Sequence, residues 1–157
     1  MRFMKLDLRS PLYFGNPIPS SPFPEAFMKA FFEAAAEHDE CLALFELDSG
    51  TAVSLSPDPS SYLRLPTAFG ASSAHQATAN AARIGTRLAL SAGLYLFIQL
   101  PGAVSLDQLT AEAIELQKEG IWNGENLSPV LYLRVLSEEQ GLVHQLLRPV
   151  SGKDRGA

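Results

Sequence analysis

Apolar and polar positions change rhythm several times along this chain, and each change marks an element. From Arg2 to Leu8 they alternate, with Phe3 and Lys5 to one side and Met4, Leu6 and Leu8 to the other, which predicts a strand. Pro11, Pro17, Pro19, Pro22 and Pro24 follow, five of the eleven prolines, and predict a stiff connection because proline fixes φ and cannot donate to a ladder. Pro22 or Pro24 suits the first turn of a helix, where a missing N–H costs little. Phe27, Met28, Phe31, Phe32, Ala34 and Ala35 give that helix a wide apolar face to about Glu37. Cys41 to Leu47 is an apolar run of strand length, Asp48-Ser49-Gly50 reads as a turn, and Thr51 to Ser56 reads as a returning strand. Pro57-Asp58-Pro59 breaks the chain, and Tyr62 to Leu65 reads as a short extended piece.

In the second half, Ser72 or Ser73 is placed to cap a long alanine-rich helix, in which Ala74, Ala77, Ala81, Ile84 and Leu88 recur at helical spacing. Gly93 is its expected stop, with an extended start over Arg87 to Leu90 as the alternative. Leu94 to Leu100 is apolar on both faces and predicts a central strand. Ser105 with Gln108 fits a capping box, so a helix is expected to Glu119 with Gly120 just beyond it, its inner stripe Leu106, Leu109, Ala113 and Leu116. Val130 to Leu136 and Leu142 to Arg148 predict a hairpin around Ser137 to Gly141.

The predicted order is βαββαβαββ, a ferredoxin-like start with an added helix and hairpin. The alternative is a β-α-β-hairpin unit used twice, at 2–56 and 94–148, with the long helix between. Either way the class is α+β: a mostly antiparallel sheet with helices packed on one face. A chain of 157 residues suits one domain, here 1–150, and buries about 69% of its unfolded surface. Residues 151–157 are expected to be a disordered tail.

Composition narrows the partners. Lys plus Arg is 12 against 17 Asp plus Glu, a formal charge of −5, and no basic run occurs. Phosphate backbones and anionic membranes need such a run, so neither nucleic acid nor a membrane is expected as a partner. Cys41 is the one cysteine, which fits a cytoplasmic protein, and the charged start lacks a signal-peptide pattern. Leu88 to Leu100 is too short to cross a bilayer.

Candidate chemistry is sparse. Pairing Leu136 with Leu142 puts Arg134 opposite His144 and Tyr132 opposite Leu146, on one face with Arg148, while Leu131, Leu133, Val135, Val143 and Leu147 form the core face. Tyr95, Phe97 and Gln99 share a face of the neighbouring strand. Arg134, His144 and Arg148, with Tyr132, Tyr95 and Gln99, are therefore ligand-binding candidates for a carboxylate or phosphate, since arginine offers a planar fork of donors. The plainer reading is a solvated or partner-covered face. Ser72 and Ser73 are anion-binding candidates at a helix start, against plain capping. With the second glycine missing, Gly70 to Ala74 does not make a nucleophile elbow. The acidic knot Glu33, Glu37, His38, Asp39, Glu40 and Cys41 reads as a solvated helix end rather than a metal site, because structural zinc wants four N or S ligands. Trp122, in a glycine-rich loop, is expected to fold back on its helix, with a binding anchor as the alternative.

No nucleotide, zinc-protease or calcium motif occurs, and no cofactor is expected. The reading is an interaction or oligomerisation module, expected as a homodimer or with a protein partner. The alternative is a small enzyme or sensor for an anionic metabolite on the Arg134, His144 and Arg148 face, with His144 its acid or base.

Overall fold

The computed structural model describes residues 4–9, 12–14, 29, 33, 40–63, 68–72, 88–102 and 104–150. In chain order they form β1 (Met4–Leu8), β2 (Leu12–Phe14), β3 (Glu40–Glu46), α1 (Ser49–Val53), α2 (Pro59–Tyr62), β4 (Ala68–Ser72), β5 (Leu88–Leu90), β6 (Gly93–Pro101), α3 (Leu106–Trp122), β7 (Val130–Glu138) and β8 (Gly141–Pro149). The class is mixed α+β. Six strands make one sheet in the order β1-β6-β8-β7-β3-β4, every neighbouring pair antiparallel, and β2 pairs with β5 in a separate ribbon.

The strongest apolar runs take the middle of the sheet. β3, β6 and β8 bury residues on both faces, as strands with two covered sides must, and β7 buries Leu131, Leu133 and Val135 on one face with its other face half-buried. Both β6 and β7 run antiparallel to β8, so they are parallel to each other and α3 carries the chain across. This is a split β-α-β unit with its return strand in the gap. One face, beneath α3, holds Cys41, Ala43, Phe45, Leu96, Ile98, Leu131, Leu133, Val135 and Leu146. The other buries Leu42, Tyr95 and Leu147 with Leu90 of the ribbon, so it is not left to solvent.

The capping expectation for α3 holds: the Ser105 hydroxyl accepts from the Gln108 N–H at 3.1 Å. Its end is corrected. The helix runs past Gly120 to Trp122, and Gly124 takes φ +75° beyond it. Gly124 N–H donates to Ile121 O and Glu125 N–H to Gly120 O, both at 3.0 Å, which is the paired closure of a Schellman end. Gly120 serves packing instead, since a Cβ there would lie 2.8 Å from Leu96 Cδ1.

Other expectations are corrected as well. The strand over Thr51 to Ser56 is the helix α1 and its exit, with Val53 71% and Leu55 41% exposed. The alternation there is not one of burial, and the strand that the ferredoxin-like start places at Thr51 to Ser56 is absent. Tyr62 ends the helix α2 rather than opening an extended piece, and Asp58 caps that helix by accepting from the Ser60 N–H at 3.0 Å. Leu12–Phe14 is strand within the expected proline loop. Ser72 ends β4 opposite Glu40, so the chain is strand where a helix start was expected, and Leu88–Leu90 and Gly93 are strand where that helix was to end. Lys29 and Glu33 are helical and exposed. The rest of the first expected helix, the remaining proline-rich stretch, Ser73 to Arg87 with His75, and the tail 151–157 lie outside the described residues.

Candidate functional site

The hairpin β7–β8 closes on the two residues Glu139 and Gln140, with Glu138 opposite Gly141. Leu136 therefore pairs with Val143, not Leu142, and Tyr132 pairs with Leu147. A one-residue slip turns every side chain of β8 to the other face. Arg134 faces Gln145, while His144 and Arg148 point into the core beneath α3. Val143 and Leu147 take the face expected for His144. Arg134, Tyr132, Tyr95 and Gln99 do share a face, and His144 and Arg148 do not join them.

Arg134 stands in a polar row across four strands. Its Nε donates to Glu40 Oε2 at 2.7 Å and its Nη1 to Gln145 Oε1 at 3.3 Å, and Gln145 Nε2 donates to Gln99 Oε1 at 2.8 Å. The Arg134 and Glu40 side chains are 16% and 4% exposed, so the positive charge already has its anion. That pairing works against a second anion binding there.

Arg148 is fully buried and surrounded by neutral oxygens. Nε donates to Ser128 O at 2.7 Å, Nη1 to Gln117 Oε1 at 2.7 Å and to the Tyr62 hydroxyl at 3.2 Å, and Nη2 to Ala52 O at 3.1 Å. Tyr62 in turn donates to Gln117 Oε1 at 2.6 Å. Gln117 Nε2 donates to Thr51 O at 2.9 Å and Ser54 O at 2.6 Å. Arg148 and Gln117 thus hold the carbonyls that α1 leaves open at its end, the groups a short helix cannot satisfy alone. Among the described residues no carboxylate pairs with Arg148. Burial lowers its pKa, opposed by Tyr62, and burial raises that of Tyr62, opposed by Arg148. The cluster braces α1, α2, α3 and β8, with its donors already engaged.

His144 is buried on the same face. Burial lowers its pKa, and a backbone hydrogen bond with Leu100, its neighbour on β6, works the other way. Cys41 is likewise buried, and burial with the charge of Glu40 pushes its thiol up to about 12, which makes it a poor nucleophile. Among the described residues no three His, Cys, Asp or Glu side chains gather for a metal ion, and no helix is long and apolar enough to cross a membrane.

Among the described residues several features remain open to a partner, one of them a pocket of about 560 Å³ between α2 and α3 lined by Pro59, Thr110 and Ile114 among others. A second pocket, of about 550 Å³ at one end of the sheet, is lined by Tyr95, Tyr132, Asp7, Ser91 and Pro149 among others. The two rings meet edge to face with centroids 6.3 Å apart, and the Tyr95 hydroxyl donates to Ser91 O at 2.6 Å. Burial, then the neighbouring Tyr132, holds the Tyr95 phenol up at about 12, and burial raises that of Tyr132 too. A further feature is β1, which ends the sheet and pairs only with β6 among the described residues. Met4 on it is 53% exposed, Lys5 bridges to Glu125 at 2.6 Å, and Asp7 lies 3.4 Å from Arg9. Trp122 is 76% exposed, which corrects the expectation that it folds back to seal the core.

Sequence reasoning missed Glu40, Gln117 and Tyr62. Glu40 was grouped with the acidic knot, and only strand pairing brings it to Arg134. Gln117 lies on the inner side of α3 among apolar neighbours, and a buried polar residue in such a stripe is itself a signal of a partner. No protein-family model matches this chain, and none of the curated proteins compared with it does.

Proposed function

We propose that the protein is a small cytoplasmic interaction module that assembles through the edge of its sheet. The observation that carries this reading is β1. An edge strand presents unpaired N–H and C=O groups that template a further strand, and proteins kept monomeric blunt or cover such edges. β1 is such an edge strand among the described residues, and Met4 lies exposed on it. Its two exposed charges, Lys5 and Asp7, would repel a strand of the wrong charge pattern, but they are of opposite sign and two residues apart, so they admit a strand that matches them. The engaged state of Arg134 and Arg148 supports the same reading, because neither arginine has its charge available to a ligand.

Native mass spectrometry and sedimentation over a concentration series test the module, with hydrogen exchange read at β1. Association with concentration, and slower exchange of the outward β1 amides, is expected. A monomer at high micromolar concentration, alone and with lysate fractions, or a complex that leaves the β1 amides unprotected, refutes it.

A second reading is binding of a small organic cation in the tyrosine-lined pocket. Its support is that the Tyr95 and Tyr132 rings both line the pocket, as aromatic rings that attract a quaternary ammonium do, and that Asp7, on the adjoining strand with its side chain to the other face, is the one charged residue among the described lining. Titration with choline, followed by the tyrosine ring signals in NMR, tests it. Shifts that vanish in Asp7→Asn support it, and no shift ends it.

A further inference from the structure

We infer that the strand added to β1 comes from a second copy of this chain, antiparallel about a two-fold axis at Leu6, so that each Lys5 faces Asp7 of the partner subunit. The inference rests on the edge-pairing reading above and names its partner and register.

Three arguments lead there. The first is geometric. One side of β1 is taken by β6, and on the other side only alternate residues aim their backbone groups outward. Two identical strands pair outward residues with outward residues, so the axis must pass through a residue and not between two. Centring on Leu6 pairs all five residues of β1, Met4–Leu8. Centring on Lys5 or Asp7 pairs fewer.

The second is charge. Centring on Lys5 sets two ammonium groups opposite each other, and centring on Asp7 sets two carboxylates opposite each other. Like charges directly across a ladder destabilise it and unlike charges support it. Only the Leu6 register turns both contacts attractive, and the symmetry makes two of them. The Lys5 and Asp7 side chains are 52% and 64% exposed, so both are accessible. An ammonium has three donors, so Lys5 can hold Glu125 and the partner's Asp7 together.

The third is the opposite face. There the same register sets Met4 across from Leu8 of the partner subunit, and Leu6 across from its copy. Leu6 and Leu8 already pack on the ribbon-side core of Leu42, Leu90, Tyr95 and Leu147, and Met4, on the same face of β1, is exposed. Pairing continues that cluster across the seam and covers Met4. Five residues a side is a small contact beside the roughly 1,200–2,000 Å² of a standard interface, so the dimer is expected to be concentration-dependent.

Charge exchange tests the register in the full chain. Lys5→Asp alone sets two carboxylate pairs face to face, and Asp7→Lys alone sets two ammonium pairs. Each is expected to weaken self-association roughly tenfold or more. Mixed in equal amounts, the two variants complement each other, and a heterodimer of near wild-type affinity should dominate the native mass spectrum. The chain carrying both substitutions should dimerise with itself, which also guards against a fold defect in either single variant. A wild-type dimer that both single variants leave intact, or a mixture no tighter than its components, overturns the register. If β1 amides stay protected in that dimer, the edge reading survives without it. A wild-type monomer at all concentrations overturns both.

Discussion

Arg134 and Arg148 lie on neighbouring strands, and the chain buries them in opposite ways. Arg134 faces the ribbon side of the sheet and meets the Glu40 carboxylate. Arg148 faces α3 and meets only neutral oxygens, two of them backbone carbonyls. The first is a charge pair, replaceable in principle by two apolar side chains. The second is a hub whose donors hold up other groups, so its loss spreads to Gln117, Tyr62 and the end of α1. The same residue type thus marks a tie between strands in one place and the brace of a loop in the other.

The largest effect should come from Arg148→Met. It strands the Tyr62–Gln117 pair and the Ala52 and Ser128 carbonyls in a dry interior, and a loss of about 3–5 kcal/mol is expected by urea denaturation. A loss below about 1 kcal/mol would mean that the hub does not brace the fold. Arg134→Ala should cost less, about 1–3 kcal/mol, by leaving Glu40 buried without its cation. Replacing both Arg134 and Glu40 by Leu should recover most of that, and the double-mutant cycle would separate a tie from a hub.

His144 should add a pH dependence of smaller size. Its folded pKa lies below 6.5, so the unfolded chain binds the proton more readily. Stability is then held above about pH 6.5 and falls as pH drops from there towards the lowered value. Denaturation of the wild type and His144→Gln at pH 7 and pH 5 should show a shallower acid loss in the variant, and equal losses would contradict the burial argument. Smallest of all, Gln145→Ala removes one long hydrogen bond and one at an exposed position, and should change stability by about 0.5 kcal/mol or less.

Legibility followed how decisive each local pattern was. α3 and the core face of β7 were readable because Leu109, Ala113 and Leu116, then Leu131, Leu133 and Val135, repeat at one period, and β6 because its apolar run from Leu94 to Ile98 is unbroken and of strand length. β8 was not. Leu142, His144, Leu146 and Arg148 fall on one parity and Val143, Gln145 and Leu147 on the other, so both faces have apolar members and the pattern favours neither. The candidate site came apart for that reason: His144 and Arg148 were grouped with Arg134 on a register that the turn moved by one, while Tyr132, Tyr95 and Gln99 keep their shared face with Arg134. Thr51 to Ser56 failed differently. Its alternation is real, but side chains from α3 and β8 satisfy the carbonyls of a short helix there, a tertiary gain beyond local propensity.

By itself the sequence determined the class, the amphipathic α3 with its Ser105 cap, the strand β1 and the hairpin's existence, because each rests on contacts between near neighbours or on one dominant period. The tertiary structure decided the register of β8, the partners of the two arginines and the place of β1 at the sheet's edge. Those depend on which distant strands meet, and a row of residues carries no record of the strand that will lie beside it.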